Sequence, residues 1–498
     1  MKPSAKIAKE ATISLVGMGF GTVVRYVFTA LLARMIGAHY LGIYSLANAV
    51  TRIMEVIGKA GLDGGILLFV SRRDADEKEI IHSDIATALK LGFILSLLVM
   101  SIQIAISGWL TSSVFSSPQL LKTVLLVNAI GLPFSIVALI AANATQAFKL
   151  LKYKILVNDI LNPLVLLLAM LGAYFLISSE AAIILPALLS AAIGFIVIML
   201  FLFRMTGIQA ARIIHQKIEP GLLSFSYPLM FIGIIATMTH WMDVMMLGYF
   251  HNEETVGLYL PAVRTAGLLR IVLVAFAGIF APMLAQLHKK NDTAETDRLY
   301  KLVIRWISSI VLPLAIIVLL FPQKVMLIFG AEFRAASDVL VILIIATLIH
   351  SILGLGQASL TMTGHPKVNL INSIIVLATN AILNYFWIPR YGLTGAALAT
   401  ATAICLMNIL VTAEMWIILR LQPVSFKFFK PVIAGVGAFL ITSQIKPLIM
   451  PMHTVLTLAA GAITVFVSFG LILWLFRFDD DDKEILTGLS VIKKSAAR

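Results

Sequence analysis

The sequence predicts an all-α, polytopic membrane protein of about fourteen transmembrane helices, with two six-helix lobes related by pseudo-two-fold symmetry plus two C-terminal helices. Composition is the first observation: 60% of the residues are hydrophobic and 13% are charged, whereas a soluble protein is about half apolar and a quarter charged. The second is the recurrence of apolar runs of about 20 residues, each able to cross roughly 30 Å of hydrocarbon. The third is the sidedness of the basic residues.

The apolar runs place fourteen spans along the chain. The first run is about 26 residues long, which is too long for the apolar region of a cleavable signal peptide, so we assign it as a span. The spans are predicted at residues 11–36, 42–70, 85–107, 119–143, 155–177, 181–203, 225–249, 256–285, 302–321, 337–360, 368–388, 393–419, 431–445 and 454–476.

The basic residues of the loops gather on one side of the membrane. With the N-terminus in the cytoplasm, most loop lysines and arginines fall in inner segments, and the outer loops contain four: Lys324, Arg334, Arg390 and Lys446. This asymmetry follows the positive-inside rule and predicts a multi-pass protein of the cell membrane with both termini cytoplasmic. The net charge of +13 therefore reflects orientation, and we expect no nucleic-acid partner.

A weak internal repeat indicates two homologous halves. The segment Leu41–Ala47 (LGIYSLA) is matched by Val256–Ala262 (VGLYLPA), with Gly, Tyr and Ala shared at an offset of 215 residues. Because six spans separate the two copies, both halves enter the membrane from the same side. The predicted organisation is an N-terminal lobe at 1–203, a cytoplasmic linker at 204–220, a C-terminal lobe at 221–420, accessory spans at 421–476 and a cytoplasmic tail at 477–498.

Cationic residues occur inside the predicted spans. In the second span, Arg52 and Lys59 share one helical face with two acidic residues, since the four are spaced three or four apart. An ionisable group at bilayer depth costs a few kcal/mol and usually faces a bundle interior or a watery cavity. These residues predict a cationic central cavity whose substrate-binding side chains are Arg25, Arg52, Lys59, Arg264 and Arg270.

Two alternatives remain open for these cations. In the second span, Arg52 with Glu55 and Lys59 with Asp63 can simply neutralise each other within the helix. The two arginines of the eighth span are six residues apart, about 240° around a helix. Only one of them can face the cavity squarely unless the helix bends in the region Pro261–Gly267, and the other would be structural.

Oxygen-bearing side chains form a second predicted site. Asp243, Asn380, Asn384 and Thr400 lie on three spans at a similar depth in the outer leaflet. A carboxylate, two amides and a hydroxyl are hard ligands suited to a small cation, so we predict coupling to Na⁺ or H⁺ and no other cofactor or metal. An interhelical hydrogen-bond cluster is the alternative. His240, one turn before Asp243, raises the further alternative of a proton-carrying pair.

A polar cluster in the fifth span consists of Asn158, Asp159 and Asn162, directly before Pro163. Asn and Asp favour helix caps, and proline favours the first helical turn. We therefore expect this cluster, near the inner end of its span, to cap a helix or lie among lipid headgroups.

Several motifs carry a family resemblance. The sequence is similar to the polysaccharide flippases, which belong to the multidrug/oligosaccharidyl-lipid/polysaccharide exporter superfamily together with multidrug extruders and lipid II flippases. The N-terminal hairpin and the stretch Gly356–Ala403 carry the likeness. The motifs are Ala33-Arg-Met-Ile-Gly37 leading into Leu41-Gly-Ile-Tyr44, Thr363-Gly-His-Pro-Lys367, Asn384-Tyr385, Ile388-Pro-Arg-Tyr-Gly392 and Thr394-Gly-Ala-Ala397.

The resemblance implies a V-shaped, two-lobed transporter that works by alternating access. It also implies a lipid-linked oligosaccharide on polyprenyl pyrophosphate as the substrate, moved for cell-surface polysaccharide assembly. The cationic cavity, inferred from the residues themselves, suits such an anion. We expect the protein to work as a monomer in the lipid bilayer.

Two other functions are considered. An ion-coupled multidrug or small-solute exporter of the same superfamily would carry largely cationic substrates, which an arginine-lined cavity disfavours. A membrane glycosyltransferase or polymerase generally needs a large outer loop or an outward-facing acidic motif, whereas the outer loops here are short. The sequence also contains no Gly-rich phosphate-binding loop with Lys-Ser/Thr. We therefore expect a transporter and not an enzyme.

Overall fold

The fold is all-helical in the computed structural model. The structure describes residues 3–73, 77–116, 119–148, 150–208, 210–217, 220–290, 292–423 and 425–476, and these contain no β-strand. The tail predicted at 477–498 lies outside the described residues. The all-α membrane fold is confirmed.

Nineteen α-helices follow one another through the described ranges. A π-helical turn, Leu110–Val114, extends α4, and a π-helical segment, Leu156–Leu161, joins α6 to α7. The first nine helices are α1 Pro3–Ile36, α2 Ala38–Lys59, α3 Leu62–Ser71, α4 Lys78–Trp109, α5 Gln119–Ala147, α6 Leu151–Ile155, α7 Asn162–Leu176, α8 Ala181–Thr206 and α9 Ala210–His215. The remaining helices are α10 Pro220–Phe250, α11 Glu253–Gly267, α12 Arg270–Lys289, α13 Thr293–Leu320, α14 Pro322–Met326, α15 Ser337–Leu353, α16 Leu355–Met362, α17 Pro366–Leu419, α18 Phe429–Ile449 and α19 Thr454–Leu475.

Twelve helices within the described ranges are long and apolar enough to cross a membrane, so the chain is a multi-pass membrane protein. The predicted count of fourteen is not confirmed. Two features of the helices account for the difference between the twelve found and the fourteen predicted. Helix α2 carries Arg52, Glu55 and Lys59, which lower its apolar character. Helix α17 is 54 residues long, and its backbone leaves helical geometry at Gly392 (φ 54°, ψ −127°), where the eleventh and twelfth spans were predicted to meet.

Two of the predicted spans are interrupted helices. The second divides into α2 and α3, because Ala60 (φ 47°) and Gly61 (φ 73°) both adopt the left-handed conformation. A side chain at Gly61 would also overlap the carbonyl oxygen of Ser226 in α10, so glycine is required there twice over. The eighth span divides into α11 and α12 at residues 268–269.

The chain folds as two compact units. The first contains Met1–Thr265, Phe329–Val339 and Ser373–Ala403, and the second contains Ala266–Ile328, Leu340–Asn372 and Ile404–Arg498. This division by contacts differs from the lobes predicted from sequence order, whose bounds stay a prediction.

In the first unit, α5 is the central helix. It packs against α2, α3, α4 and α8, and Leu132, Ile136 and Ile140 of α5 are fully buried. Helix α1 contacts α6 and the π-helical segment closely: a Cβ atom on Gly21 would overlap the main-chain carbonyl of Asp159. Small residues allow such close approach, which is a main source of helix association in a bilayer.

In the second unit, a core forms among α12, α13, α16 and the C-terminal part of α17, around Tyr300, Ile304 and Met415. The hairpin of α18 and α19 packs on α13, and Gly461 of α19 lies against the ring of Phe321. The two predicted accessory spans therefore form part of this unit's packing.

Candidate functional site

Three of the five predicted substrate-binding cations lie near one another in the first unit. Arg25 comes from α1, Arg52 from α2 and Arg264 from the last turns of α11. All three lie within electrostatic range of the hydroxyl of Tyr44, and Arg264 is also within range of the other two. The buried Nε of Arg264 has no hydrogen-bond partner among the described residues. We call these three residues, with Tyr44, the arginine cluster.

Arg52 forms the ion pair that the simpler interpretation predicted. Its Nη1 lies 2.7 Å from Oε2 of Glu55, whose side chain is 6% exposed, whereas that of Arg52 is 53% exposed. A planar guanidinium carries five N–H donors, so one bond to Glu55 leaves others available. The ion pair therefore fixes the arginine without excluding a ligand.

Arg25 is held by a main-chain carbonyl that the helix cannot use. Its Nη2 donates to the carbonyl oxygen of Asn158, 2.8 Å away, in the π-helical segment Leu156–Leu161. In a π-helix that oxygen would accept the N–H of residue 163, and residue 163 is a proline, which has none. The guanidinium supplies the missing donor. The carboxylate of Asp159 lies 4.0 Å from the same nitrogen.

A cavity of about 240 Å³ adjoins these groups within the first unit. Residues of α1, α2, α5, α8, the π-helical segment and α7 surround it, and we call it the first-unit cavity. Its polar lining includes Arg25, Tyr44, Arg52, Glu55, Asn128 and Asn162. The interpretation of the fifth-span cluster as a helix cap is wrong, because Asn158 and Asn162 line this cavity within a continuous helical segment.

Lys59 lies outside the lining of the first-unit cavity. Its Nζ is 2.7 Å from Oδ2 of Asp63, and the pair bridges the break between α2 and α3. Lys59 instead lies within electrostatic range of Lys154, whose Nζ donates to Oδ1 of Asn143 at 3.0 Å and to Oε1 of Gln146 at 2.7 Å. The structure thus gives Lys59 the intrahelical pairing of the simpler interpretation.

Arg270 belongs to the second unit, where it begins α12. It lies within electrostatic range of His350, whose Nδ1 is 3.3 Å from Oδ1 of Asn408. The interruption at residues 268–269 frees Arg264 and Arg270 from the 240° relation of an unbroken helix. The role of Arg270 in substrate binding stays a prediction.

The four residues of the predicted ion site lie in direct contact in the first unit. Oδ1 of Asp243 accepts hydrogen bonds from the amides of Asn384 (2.8 Å) and Asn380 (3.3 Å), and Oδ2 accepts one from the hydroxyl of Thr400. Oδ2 also accepts one from the hydroxyl of Tyr259 at 2.9 Å. We call these five residues the Asp243 cluster. Asp243, Asn380 and Asn384 are all buried.

One hydrogen-bond acceptor of the Asp243 cluster has no partner among the described residues. It is the buried Oδ1 of Asn384. A buried amide oxygen without a partner costs free energy, and a small cation would use it as a ligand. The donor set therefore fits a hard cation, although its use by Na⁺ stays a prediction. His240 is exposed and packs edge-on against Trp241, with ring centroids 5.1 Å apart.

Sequence reasoning missed two tyrosines and an asparagine of these sites. Tyr44 and Tyr259 are the shared tyrosine of the internal repeat, one in the arginine cluster and one in the Asp243 cluster. Their recurrence in apolar segments was the available signal. Asn128, which lines the first-unit cavity, lies seven residues before Ser135 on one helical face of its span, and that spacing was its signal.

Comparison with known proteins identifies relatives of this chain. A family model described as polysaccharide biosynthesis protein matches residues 31–338. A probable low-salt glycan biosynthesis flippase of Haloferax volcanii, Agl15, is 25% identical over 399 residues, covering 78% of this chain and 79% of the relative. A probable flippase of the same organism, AglR, is 28% identical over 233 residues, covering 45% of this chain and 48% of the relative.

Solved structures show the same fold. A lipid II flippase, MurJ, in an inward closed conformation gives a TM-score of 0.74 at 14% identity, covering 93% of this chain and 98% of the other. A MATE family multidrug resistance transporter in an inward-facing conformation gives 0.66 at 14% identity, covering 82% and 98%. The resemblance carried by the motifs is confirmed at the family level. Since the family model spans more than half of the sequence, the chain belongs to the polysaccharide biosynthesis protein family.

Proposed function

We propose that this protein is a flippase that moves a lipid-linked oligosaccharide, carried on polyprenyl pyrophosphate, across the cell membrane for cell-surface polysaccharide assembly. The arginine cluster is the observation that carries the proposal. Two relatives of the chain are named as flippases, one of them in glycan biosynthesis. Flipping breaks no covalent bond, so the proposed function requires no catalytic residue.

The charge of the cluster selects the ligand. The guanidiniums of the cluster lie within electrostatic range of Tyr44, and that of Arg264 is within range of the other two, so like charges repel even with the carboxylates of Glu55 and Asp159 nearby. A charge at bilayer depth also costs a few kcal/mol. A pyrophosphate offsets both costs, because its oxygens accept paired hydrogen bonds from planar guanidinium groups. The buried Nε of Arg264 is one donor that such a ligand would satisfy.

Transport follows by alternating access in this proposal. The arginine cluster holds the pyrophosphate while the lipid tail stays in the bilayer, and the lobes 1–203 and 221–420 rock to expose the load outside. Both termini stay cytoplasmic, and one chain suffices. A cation bound at the Asp243 cluster would favour one of the two states by its differential affinity for them. The driving force would then be a Na⁺ or H⁺ gradient.

The second candidate is an ion-coupled exporter of drugs or small solutes. The fold similarity to a MATE family multidrug resistance transporter favours it. The arginine cluster argues against it for cationic substrates, since like charges repel strongly in a low-dielectric site.

Flipping in proteoliposomes tests the proposal. The probe is a fluorescent polyprenyl-pyrophosphate oligosaccharide, with a quencher that reaches only the outer leaflet. We expect wild-type protein to expose the protected probe, and Arg52→Ala and Arg264→Ala to slow this at least tenfold while folding normally. Arg204→Ala, at the end of α8 and outside the arginine cluster, is the matched control. Unchanged rates in both cluster variants would refute the proposed anion site. Transport of cationic dyes in place of the lipid would favour the second candidate.

A further inference from the structure

We propose that the first-unit cavity is a binding site for the sugar ring next to the pyrophosphate, so that the first unit recognises the glycan as well as the anion. This inference rests on the proposed function and adds a subsite to it. Its evidence is the size of the cavity, the chemistry of its lining and its position beside Arg25 and Arg52.

The cavity has the size of a single sugar ring. Its volume is about 240 Å³, room for about eight waters at roughly 30 Å³ each. Pockets for larger, drug-sized ligands begin at about 300 Å³. Gly131, Ala138, Ala187 and Ala191 contribute to the wall, so small side chains leave this space open between α5 and α8.

The lining presents hydrogen-bond acceptors. Asn128 lines the cavity and is 5% exposed, and its Oδ1 has no hydrogen-bond partner among the described residues. Asn162 also lines the cavity and is half-buried, and its buried Oδ1, beside Gly194 of α8, has no hydrogen-bond partner among the described residues. Two hydroxyls of the lining, those of Ser135 and Ser190, donate their protons to main-chain carbonyls, so their oxygens can still accept hydrogen bonds.

An acceptor-rich cavity needs a ligand rich in donors, and the charges decide which kind. A second anion would meet the buried carboxylate of Glu55 and the unpartnered amide oxygens. A metal cation would meet the positive charges of Arg25 and Arg52, which line the same cavity. Sugar hydroxyls are neutral donors, and each can bond to an amide or hydroxyl oxygen.

The position of the cavity links the sugar to the phosphate. Arg25 and Arg52 belong to both the arginine cluster and the cavity wall, so a phosphate on the cluster would place its first sugar at the cavity. Leu166 and Pro163 supply apolar wall, against which the C–H face of a sugar can pack.

Two variants separate the sugar subsite from the anion site. Asn128→Ala removes an acceptor and leaves the space, whereas Ala138→Leu fills the space and leaves the acceptors. Asn143→Ala is the matched control, because it makes the same change on α5 at a residue outside the cavity lining. The probes are polyprenyl pyrophosphate carrying one N-acetylglucosamine and the bare polyprenyl pyrophosphate, and the measurement is affinity for purified protein in detergent.

We expect wild-type protein to bind the glycosylated probe more tightly, and both cavity variants to weaken that probe about tenfold. Their affinity for the bare probe should stay within twofold of wild type, which also shows that they fold. Equal affinities of wild type and variants for the glycosylated probe would overturn the sugar subsite while leaving the proposed function intact. Parallel weakening of both probes would likewise overturn it. Failure of wild-type protein to bind either probe would instead refute the proposed function.

Discussion

Gly42 and Gly257 hold equivalent positions in the two halves of the sequence, and each lies against the main chain of the other half. A Cβ atom on Gly42 would overlap the carbonyl oxygen of Glu253, and one on Gly257 would overlap that of Ala38. The two residues that supply these carbonyls, Ala38 and Glu253, are 215 residues apart, as are the two glycines. The beginnings of α2 and α11 therefore meet in the first unit through a reciprocal contact, a relation of the kind that a parallel repeat produces.

This contact predicts a cost for any side chain at the two glycines. Gly42→Ala and Gly257→Ala each place a methyl group against a backbone carbonyl, which cannot move aside as the tip of a side chain can. Overpacking of this kind costs about 1–3 kcal/mol. We expect each variant to lower the apparent melting temperature in detergent and to slow flipping.

Gly172→Ala provides the control for these variants. It makes the same substitution inside α7, where no atom lies within 4 Å of the added Cβ. Alanine is the better helix former by about 1 kcal/mol, so this variant should melt at the wild-type temperature or above. Equal melting temperatures in all three variants would contradict the reciprocal contact.

The carbonyl of Asn158 gives a second prediction. Arg25→Ala removes the guanidinium that donates to this half-buried carbonyl over 2.8 Å, and a hydrogen bond to a charged group contributes about 1.5–3 kcal/mol. Pro163→Ala supplies an N–H at the position that a π-helix would use. In thermal unfolding, we expect the double variant to lose less stability than the sum of the two single losses, whereas flipping stays impaired because the guanidinium is absent.

Pro186→Ala in the Arg25→Ala background is the matched control, since Pro186 lies inside α8 and its replacement adds an N–H to a different helix. The stability losses of Pro186→Ala and Arg25→Ala should add in their double variant. If the losses of Pro163→Ala and Arg25→Ala also add, the Asn158 carbonyl does not depend on Arg25 for its hydrogen bond.

The sequence contained enough information for part of this architecture and not for the rest. Four of the five residues of the Asp243 cluster could be predicted, all but Tyr259, because residues on different spans at one depth are candidates for contact whatever the helix order. The arginine cluster could be predicted only in part. Which cations share a site depends on helix interruptions. The sequence marks the break at residues 268–269 only through Pro261 and Gly267, which allow a bend without requiring one, and Gly267 is the last residue of α11.

The polar lining of the first-unit cavity shows the same limit. Ser190 stands alone in its apolar span, where a single polar residue has no periodicity to indicate the face it occupies, whereas Asn128 shares a helical face with Ser135, seven residues on. Only the packing of α5 against α8 places them at one cavity. The π-helical segment was hidden for another reason: Asn, Asp and Pro in series also form the common signal of a helix start.

The break between α2 and α3 predicts different roles for two cations of the same span. Lys59 pairs with Asp63 across the break, at 2.7 Å, with side chains 21% and 22% exposed. Removal of such a pair costs up to about 1 kcal/mol. We therefore expect Lys59→Gln to flip the lipid at close to the wild-type rate with a slightly lower melting temperature, and Arg52→Gln to lose flipping.

Exchange of the two charges tests whether the helix dipoles favour the lysine at position 59 and the aspartate at position 63. Lys59 ends α2 and Asp63 lies in the first turn of α3, so each charge complements its helix dipole. The double variant Lys59→Asp, Asp63→Lys keeps the pair but opposes both dipoles, and we expect its melting temperature to stay below that of wild type. Full recovery of stability would show that only the pairing matters, and loss of flipping in Lys59→Gln would return Lys59 to the substrate site.

The Asp243 cluster predicts a stabilisation of the folded protein by sodium. A cation that binds only the folded state raises stability by RT ln(1 + [L]/Kd), about 2.7 kcal/mol at one hundred times Kd. Asp243 and Asn384 would supply a carboxylate and the unpartnered amide oxygen as ligands. We expect wild-type protein to melt at a higher temperature in sodium chloride than in choline chloride of equal ionic strength.

Asp243→Asn should abolish this difference, because the amide keeps the shape of the side chain and removes its charge, and flipping should lose its dependence on sodium. Asp297→Asn, at an ion pair with Lys301 in α13, makes the same change outside the cluster and should keep the sodium effect. A wild-type melting temperature that is indifferent to sodium but shifts with pH only when Asp243 is present would assign the coupling to protons. A wild-type melting temperature that responds to neither sodium nor pH would show that the cluster is an interhelical hydrogen-bond network, worth about 0.6 kcal/mol per bond. The driving force would then be the membrane potential or consumption of the substrate on the outer side.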